Sequence, residues 1–435
     1  MDSSSDWSRA ITARKVRIGI VGLGYTGLPL AEVFIQQGFP VVGFDVDAQR
    51  IAALQGGIGY LGHFPTARVQ ELRSSGQFQA SLDFALLAEV DAALICVPTP
   101  LTSAREPDLA AVIEASEQIA RHLGEGTLVV LTSTTYPGTT REVVEPLLAR
   151  SGRRFYLAYS PEREDPGNRE HSTATIPRVV GGLDPESGQR AQELFAAGMT
   201  QVVPVSSTEV AEACKVLENT YRAVNIALVN ELKVLYGKMG IDIWEVIAAA
   251  QTKPFGFQPF YPGPGWGGHC IPIDPFYLAW VGRKVGAPAR FVELAGEINT
   301  AMPGYVVDCV TEALNDRALS VRNSRVCLLG MAYKRDVDDY RESPGVQLAM
   351  LLHHKGAQVC YHDPHVPRVR IPQLEREWES QPLTRELLQE QDCVVIVTDH
   401  SVFDWSWIIE HTPLIVDTRN ATRNVSQFRE RIVRA

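Results

Sequence analysis

An apolar run of strand length, Val16-Arg-Ile-Gly-Ile-Val-Gly22, opens directly into Gly22-Leu-Gly24-Tyr25-Thr26-Gly27 and then into a helical pattern. Few sequence features restrict a fold as tightly. The first glycine serves a tight turn, the second lets backbone approach a pyrophosphate, and the third lets helix and strand pack closely. The phosphate then rests on the helix N-terminus. A second apolar run, Val41-Val-Gly-Phe44, ends in Asp45, where a dinucleotide fold places the acid that binds a ribose 2′-hydroxyl. An acid there repels a 2′-phosphate and no basic residue follows it immediately, so the expected cofactor is NAD rather than NADP.

Further strand-then-loop units follow. Ala92-Ala-Leu-Ile-Cys-Val97 ends at Pro98-Thr99, the run from Thr127 to Leu131 ends at Ser133-Thr134, and the run from Arg154 to Tyr159 ends at Ser160-Pro-Glu162. In a doubly wound sheet ligands collect at the carboxyl ends of strands, so these loops are expected to face the nicotinamide and its substrate. Ordinary turn chemistry is the alternative for Thr99 and Thr134, and Glu162 is a candidate acid or base. After residue 207 the pattern becomes helical, with Lys215 and Asn219 four apart on one face and apolar positions on more than one side, as in a helix buried between domains. A second helix is predicted from Ala289 to Asn299. From Ser324 the alternation resumes with a strand ending in Gly330 and others at 358–363, 392–397 and 413–417. It carries no GxGxxG, so this part binds a nucleotide differently or binds another ligand. Lys334 and Arg341 suit phosphate by charge and donor geometry, although isolated basic residues also serve as surface solubilisers.

Between these regions lies Pro264-Gly-Trp-Gly267-Gly-His-Cys270-Ile-Pro-Ile-Asp274, one thiol set among glycines with a carboxylate four residues later. That pattern suits a covalent nucleophile and a proton acceptor, whereas a cysteine taken alone is more often an inert core residue. The other six cysteines, at 96, 214, 309, 327, 360 and 393, are widely spread and show neither a disulfide framework nor a CxxC metal pattern, so no metal is expected. The 435 residues carry a formal charge of -10, which argues against non-specific nucleic-acid binding and makes any phosphate site local. The N-terminal residues lack the basic and apolar regions of a signal peptide and no apolar run reaches membrane-spanning length, so a cytosolic protein without membrane or nucleic-acid partners is expected.

Gly22–Gly27, Ser160-Pro-Glu-Arg-Glu-Asp-Pro-Gly-Asn168, Lys215-Val-Leu-Glu-Asn219, the Cys270 loop and Ala332-Tyr333-Lys334-Arg-Asp with Arg341-Glu-Ser-Pro344 together resemble the UDP-glucose/GDP-mannose dehydrogenase family, across roughly residues 16 to 425. The Lys253–Pro264 and Phe291–Pro303 segments look most like the bacterial UDP-N-acetylglucosamine 6-dehydrogenases. The resemblance implies an α/β fold of two Rossmann-like doubly wound domains joined by a central helical domain. Its divisions are an N-terminal tail at 1–15, an NAD-binding domain at 16–207, a central helical domain with the cysteine loop at 208–320, and a UDP-sugar-binding domain at 321–435. It also implies a homodimer built on the long central helices.

The implied reaction takes the C6 hydroxyl of a UDP-sugar to a carboxylate, a four-electron oxidation using two NAD. Cys270 attacks the first-formed aldehyde to give a thiohemiacetal, a second hydride loss gives a thioester, and water releases the acid. Lys215 and Asn219 would stabilise oxyanion and thiolate, a nearby cation being one way to lower a thiol pKa. Asp274 and Thr134 would position water or relay protons, and Glu162 would be the base for hydrolysis. The cofactor would meet Gly22, Gly24, Tyr25, Thr26, Gly27, Asp45, Pro98, Thr99, Thr134 and Arg341. The substrate would meet Glu162, Lys215, Asn219, Arg222, Phe260, Tyr261, Gly267, Tyr333 and Lys334. Two positions depart from the family pattern: Pro166 stands where relatives often have a second carboxylate, with Glu164 and Asp165 displaced inward, and Thr132 stands where many have glutamate. The other classes weighed are a UDP-glucose or UDP-N-acetylmannosamine 6-dehydrogenase, a single-step hydroxyacid dehydrogenase, which needs no cysteine loop, and a non-catalytic NAD-binding regulator, which would lose the catalytic set.

Overall fold

The computed structural model describes residues 3–62, 64–102, 104–164, 172–268, 271–371 and 376–435. The chain forms two compact units, 1–218 with 276–287, and 219–275 with 288–435. The first is built on a sheet of β1 (Ile18–Val21), β2 (Val41–Phe44), β3 (Phe78–Ser81), β4 (Ala92–Ile95), β5 (Thr127–Leu131), β6 (Phe155–Tyr159), β7 (Arg178–Gly182) and β8 (Val202–Val205). Their order is β3-β2-β1-β4-β5-β6-β7-β8, and every pair is parallel except β6 with β7. The first six strands follow the dinucleotide-binding order 3-2-1-4-5-6, which reverses between β1 and β4.

Both faces of this sheet are covered, which explains why its strands read as unbroken apolar runs rather than alternating ones. Ile18, Ile20, Leu94, Leu128 and Val130 enter one core, while Val21, Ile95, Val129 and Leu131 enter the other. Flanking the sheet are α1 (Ser3–Thr12), α2 (Gly27–Gln36), α3 (Ala48–Gly56), α4 (Thr66–Ser74), α5 (Ala110–His122), α6 (Glu145–Ala149) and α7 (Pro185–Ala196). Residues 3–12, set apart from the first domain in the sequence reading as part of a tail, thus form a helix. Trp7 and Ile11, four apart, join the core, and the Trp7 indole donates to the Arg190 carbonyl at 3.3 Å.

Helix α8 (Thr208–Lys238) follows, 31 residues long, then α9 (Ile243–Gln251), α10 (Asp274–Lys284) and α11 (Arg290–Asn315). The helix predicted to end at Asn299 continues through Pro303. A proline there removes the hydrogen bond to the Asn299 carbonyl. Gly265 packs close to that point: a β-carbon on it would lie 3.4 Å from both Asn299 O and Pro303 Cδ. In the second unit Asn230 donates to Asn299 at 2.8 Å, and Asn299 donates to the Ala223 carbonyl at 3.1 Å, so buried amides join α8 to α11.

The second unit carries a parallel sheet of β9 (Arg325–Leu329) and β10 (Gln358–His362), and, beyond an antiparallel pair β11 (Arg368–Ile371) and β12 (Arg376–Glu379), β13 (Cys393–Ile396), β14 (Ile415–Asp417) and β15 (Ile432–Arg434). The order β10-β9-β13-β14-β15 is the other doubly wound arrangement, reversing between β9 and β13. Its faces also feed two cores, Val326 and Leu328 into one and Cys327 and Leu329 into the other. The fold class expected from sequence is therefore the one observed.

Candidate active site

In the first unit the glycine turn is fixed by contacts that leave no room for side chains. Gly22 has φ +97° and a β-carbon there would sit 2.7 Å from the Cys96 carbonyl; one on Gly27 would sit 1.9 Å from the Gly22 carbonyl. Gly24 is different, because apart from its chain neighbours no described residue lies within 4 Å of where its β-carbon would be. The protein itself does not require glycine at that point. An approaching pyrophosphate does, which is the fit expected for a dinucleotide. Tyr25 and Thr26 complete the turn into α2, and Thr26 makes no side-chain cap, leaving the helix start unblocked by its own residue.

Asp45 is buried and ties the end of β2 to this turn, accepting from Leu23 N at 2.9 Å and Asp47 N at 3.0 Å. No basic residue follows Asp45 immediately, but one folds back close to it: Arg50 is 3.4 Å from Asp45 and 3.4 Å from Asp47. Five residues on, it was too far along the chain to be read as a neighbour. One guanidinium between two carboxylates leaves the locality negative, which still disfavours a 2′-phosphate.

The next strand-end loops are stitched together by hydroxyls. Thr99 Oγ1 donates to the Thr134 carbonyl at 2.7 Å, Ser133 Oγ to the Val97 carbonyl at 2.7 Å, and Thr132 Oγ1 to the Ile95 carbonyl at 2.7 Å. Thr132, the departure from the family pattern, is thus a buried structural hydroxyl. Tyr277, fully buried, donates to the Thr99 carbonyl, a partner that sequence offered no means to assign. Pro98 is exposed.

Glu162 is committed at both oxygens. Buried Arg178 donates to Oε2 at 2.7 Å, while Oε1 accepts from Arg163 N at 2.8 Å and Glu164 N at 3.0 Å. Arg178 also grips Ser160 Oγ at 2.9 Å, so it locks the whole strand-end turn. Burial, and then the neighbouring Glu162 charge, push the Glu164 carboxyl up to about 7. Residues 165–171, with Asp165 and Pro166, lie outside the described residues, as do His269 and Cys270. Lys215 is buried on α8. One turn earlier, buried Glu212 accepts from Gly138 N at 2.6 Å and Thr140 N at 2.8 Å, anchoring the loop that follows Thr134 to the same helix.

In the second unit Asn219 and Asp274 come together: both are buried and the amide donates to the carboxylate. The glycine loop closes onto the segment bearing Lys334. A β-carbon on Gly267 would lie 2.8 Å from Tyr333 Cβ, and Gly268 N donates to the Arg341 carbonyl at 3.0 Å. Phe260 packs edge-on to Tyr221 and Tyr261 stacks on Trp244. Arg222 is exposed. Arg341 is held in a fork by Asp339, with Nη2 at 2.7 Å, so much of its charge is already matched.

The Lys334 segment is clamped from the far side. Asp363 Oδ2 accepts from Met331 N at 2.6 Å and Ala332 N at 2.8 Å, and His400 Nε2 lies 3.1 Å away. His400 Nδ1 accepts from Asp336 N at 2.9 Å, which assigns its proton to Nε2. Asp336, His365 and His400 place ligand atoms within 4.8 Å of one another. The His400 Nδ1 lone pair is already taken by an N–H, however, so this group acts as a fastening rather than a ready cation cage.

A dinucleotide turn in one unit and a second doubly wound sheet in the other define a nucleotide-using α/β enzyme. The model of the UDP-glucose/GDP-mannose dehydrogenase family NAD binding domain matches residues 16–198, that of its central domain 209–301, and that of its UDP binding domain 327–424. The chain belongs to this family. It is an NAD-dependent nucleotide-sugar dehydrogenase, an oxidoreductase acting on a CH–OH group. It is 35% identical over 396 residues to a UDP-N-acetyl-D-glucosamine 6-dehydrogenase of Pseudomonas aeruginosa, covering 90% of this chain and 92% of that one. It is 32% identical to a UDP-N-acetyl-D-mannosamine dehydrogenase of Methanococcus maripaludis, covering 89% and 87%. The solved structure of a UDP-D-ManNAc dehydrogenase from Pyrococcus horikoshii superposes with a TM-score of 0.87 at 30% identity, covering 96% of this chain and 99% of that one.

Proposed function

We propose that the protein oxidises C6 of UDP-N-acetylglucosamine to the carboxylate, through a thiohemiacetal and a thioester on Cys270. The observation that carries the substrate is the 35% identity to a UDP-N-acetyl-D-glucosamine 6-dehydrogenase along nearly the whole chain. UDP-N-acetylmannosamine is the second reading, favoured by the fold likeness to the Pyrococcus horikoshii structure. Both sugars carry a 2-acetamido group. A pocket that pairs with that amide leaves buried polar groups unsatisfied when a hydroxyl replaces it. UDP-N-acetylglucosamine is therefore expected to give the highest kcat/KM in a panel with UDP-N-acetylmannosamine, UDP-glucose and GDP-mannose, at least about tenfold above UDP-glucose. Measured by NADH release, a higher value for either other UDP-sugar removes the substrate assignment and leaves the family intact.

Gly22–Gly27, Asp45, Thr99 and Thr134 would hold NAD, and two successive NAD molecules would each accept one hydride. The chain's own groups do the rest. Cys270 sulfur bonds to the aldehyde carbon and so retains it between the two steps. Lys215 and Asn219 stabilise the oxygen that gains charge, Asn219 being oriented by Asp274. Glu162, fixed by Arg178, accepts the proton of the water that cleaves the C–S bond. Lys334 and Tyr333, on the segment clamped by Asp363 and His400, face the substrate's nucleotide half.

The reading extends to a homodimer through the central helices. Tyr221, Leu228 and Leu235 recur every seven residues along α8 and are each about half exposed, at 49%, 50% and 50%. A seven-residue apolar repeat is the spacing of a helix-pairing seam. Leu228→Asp is expected to convert a dimer into a monomer with its helix content unchanged. A wild-type protein that sediments as a monomer at micromolar concentration counts against the dimer outright.

A further inference from the structure

Lys233 is a buried cation without a hydrogen-bond partner among the described residues. It lies on α8 three residues after Asn230 and is 6% exposed. Around it stand Tyr305 and Cys309 from α11, with Nζ 5.8 Å from the Tyr305 ring centre, and Asp417 and Arg419 from the end of β14. Burial pushes the Lys233 ammonium down to about 8, with Cys309 and Asp417 opposing and Arg419 reinforcing the shift. Asp417 cannot serve as its bonded partner, because both its oxygens are filled: Oδ1 by Arg419 N and Ala421 N, Oδ2 by Thr422 N and Thr422 Oγ1. Arg419 adds a second cation whose side chain, among the described residues, donates only through Nε, to the Val397 carbonyl at 2.9 Å. Burial brings Arg419 down to about 10, with Arg335 adding to the effect.

Two cations whose remaining donors find no partner among the described residues face one saturated carboxylate, and an unmatched buried charge is costly unless a ligand matches it. The location is informative. Val397 and Asp417–Arg419 follow the carboxyl ends of β13 and β14, the end of a doubly wound sheet at which ligands collect. The chain also makes room there. A β-carbon on Gly263 would lie 2.5 Å from Arg419 Nη1, and Gly263 N donates to Asn230 Oδ1 at 2.9 Å, one turn from Lys233.

We propose that Lys233 is a binding residue for the diphosphate of the nucleotide sugar, its ammonium donating to a phosphate oxygen in the second unit. This rests on the reading above that the substrate is a UDP-sugar. The test is calorimetric titration of UDP, GDP and uridine into the intact wild-type protein and Lys233→Met, which keeps the volume and removes the charge. UDP affinity is expected to fall about 10- to 100-fold in the variant, as for one charge-assisted contact, while uridine and NAD bind both proteins alike. Wild-type affinity for UDP should weaken as pH rises above about 8, where free Lys233 loses its proton, and Lys233→Met should lack that limb.

A lysine needed only for packing gives another pattern: Lys233→Met then melts earlier and binds UDP as the wild type does. The proposed role has the unliganded variant melting no earlier. Lys233→Gln supplies the same comparison if the methionine variant does not fold. Equal UDP affinity in wild type and variant overturns the proposal and leaves the substrate reading standing. Tighter binding of GDP than UDP overturns the uridine reading and moves the Lys233 comparison to GDP. A wild type that binds neither overturns both.

Discussion

Cys270→Ser is expected to abolish net acid formation, lowering the yield by at least about 10³-fold, because the nucleophile and the residues serving it act as a unit. Oxidising a primary alcohol to an acid removes two hydrides, and between them stands a free aldehyde unless the enzyme holds it. A thiol does so at neutral pH, since a useful fraction is thiolate and sulfur is intrinsically nucleophilic, whereas serine needs a dedicated base. The glycines flanking the thiol permit close approach; Gly265 and Gly268, with φ of +137° and +87°, adopt backbone that other residues rarely take. The wild-type protein should yield two NADH per acid. A stoichiometry of one, or a serine variant with ordinary acid yield, removes the covalent route.

What could be read from sequence was what depends on local backbone geometry. The glycine turn and Asp45 were legible because each requirement is steric and confined to a few residues, and β5 falls where its apolar run lies, at 127–131. The second α/β region was legible for the same reason, since strands buried on both faces leave continuous apolar runs. Strands at an exposed edge were legible only in part: β10, largely half-buried, falls at its predicted place, whereas β8 was not predicted. β8 contains Pro204 and has no buried residue, although it pairs in register with β7. Helix α1 escaped because its buried stripe amounts to Trp7 and Ile11.

The partners of the site residues were less legible still. Arg178 to Glu162, Tyr277 to Thr99 and Asp363 to the Lys334 segment are pairings across 16, 178 and more than 30 positions. Nothing in one sequence marks an arginine or tyrosine for such a role. Lys233 shows the same limit from the other side. On a helix it reads as one more solvated lysine, and only its burial without a hydrogen-bond partner among the described residues sets it apart.

Lys215→Met is expected to lower kcat about 10²- to 10³-fold with KM for NAD little changed, the usual loss when a donor to a developing oxyanion is removed. Lys215 is 7% exposed on α8, four residues before Asn219, whose amide is held by Asp274. A cation near a thiol also favours its thiolate, which gives a readout independent of turnover. The rate at which iodoacetamide alkylates Cys270 should rise with pH around a lower midpoint in the wild type than in Lys215→Met, whose midpoint should approach the free-thiol value of about 8.5. Methionine fills most of the lysine volume and carries no charge into the interior, so the variant is not expected to melt earlier. If kcat and the alkylation midpoint are both those of the wild type, Lys215 serves packing on the helix and the cation assisting the sulfur must be sought elsewhere.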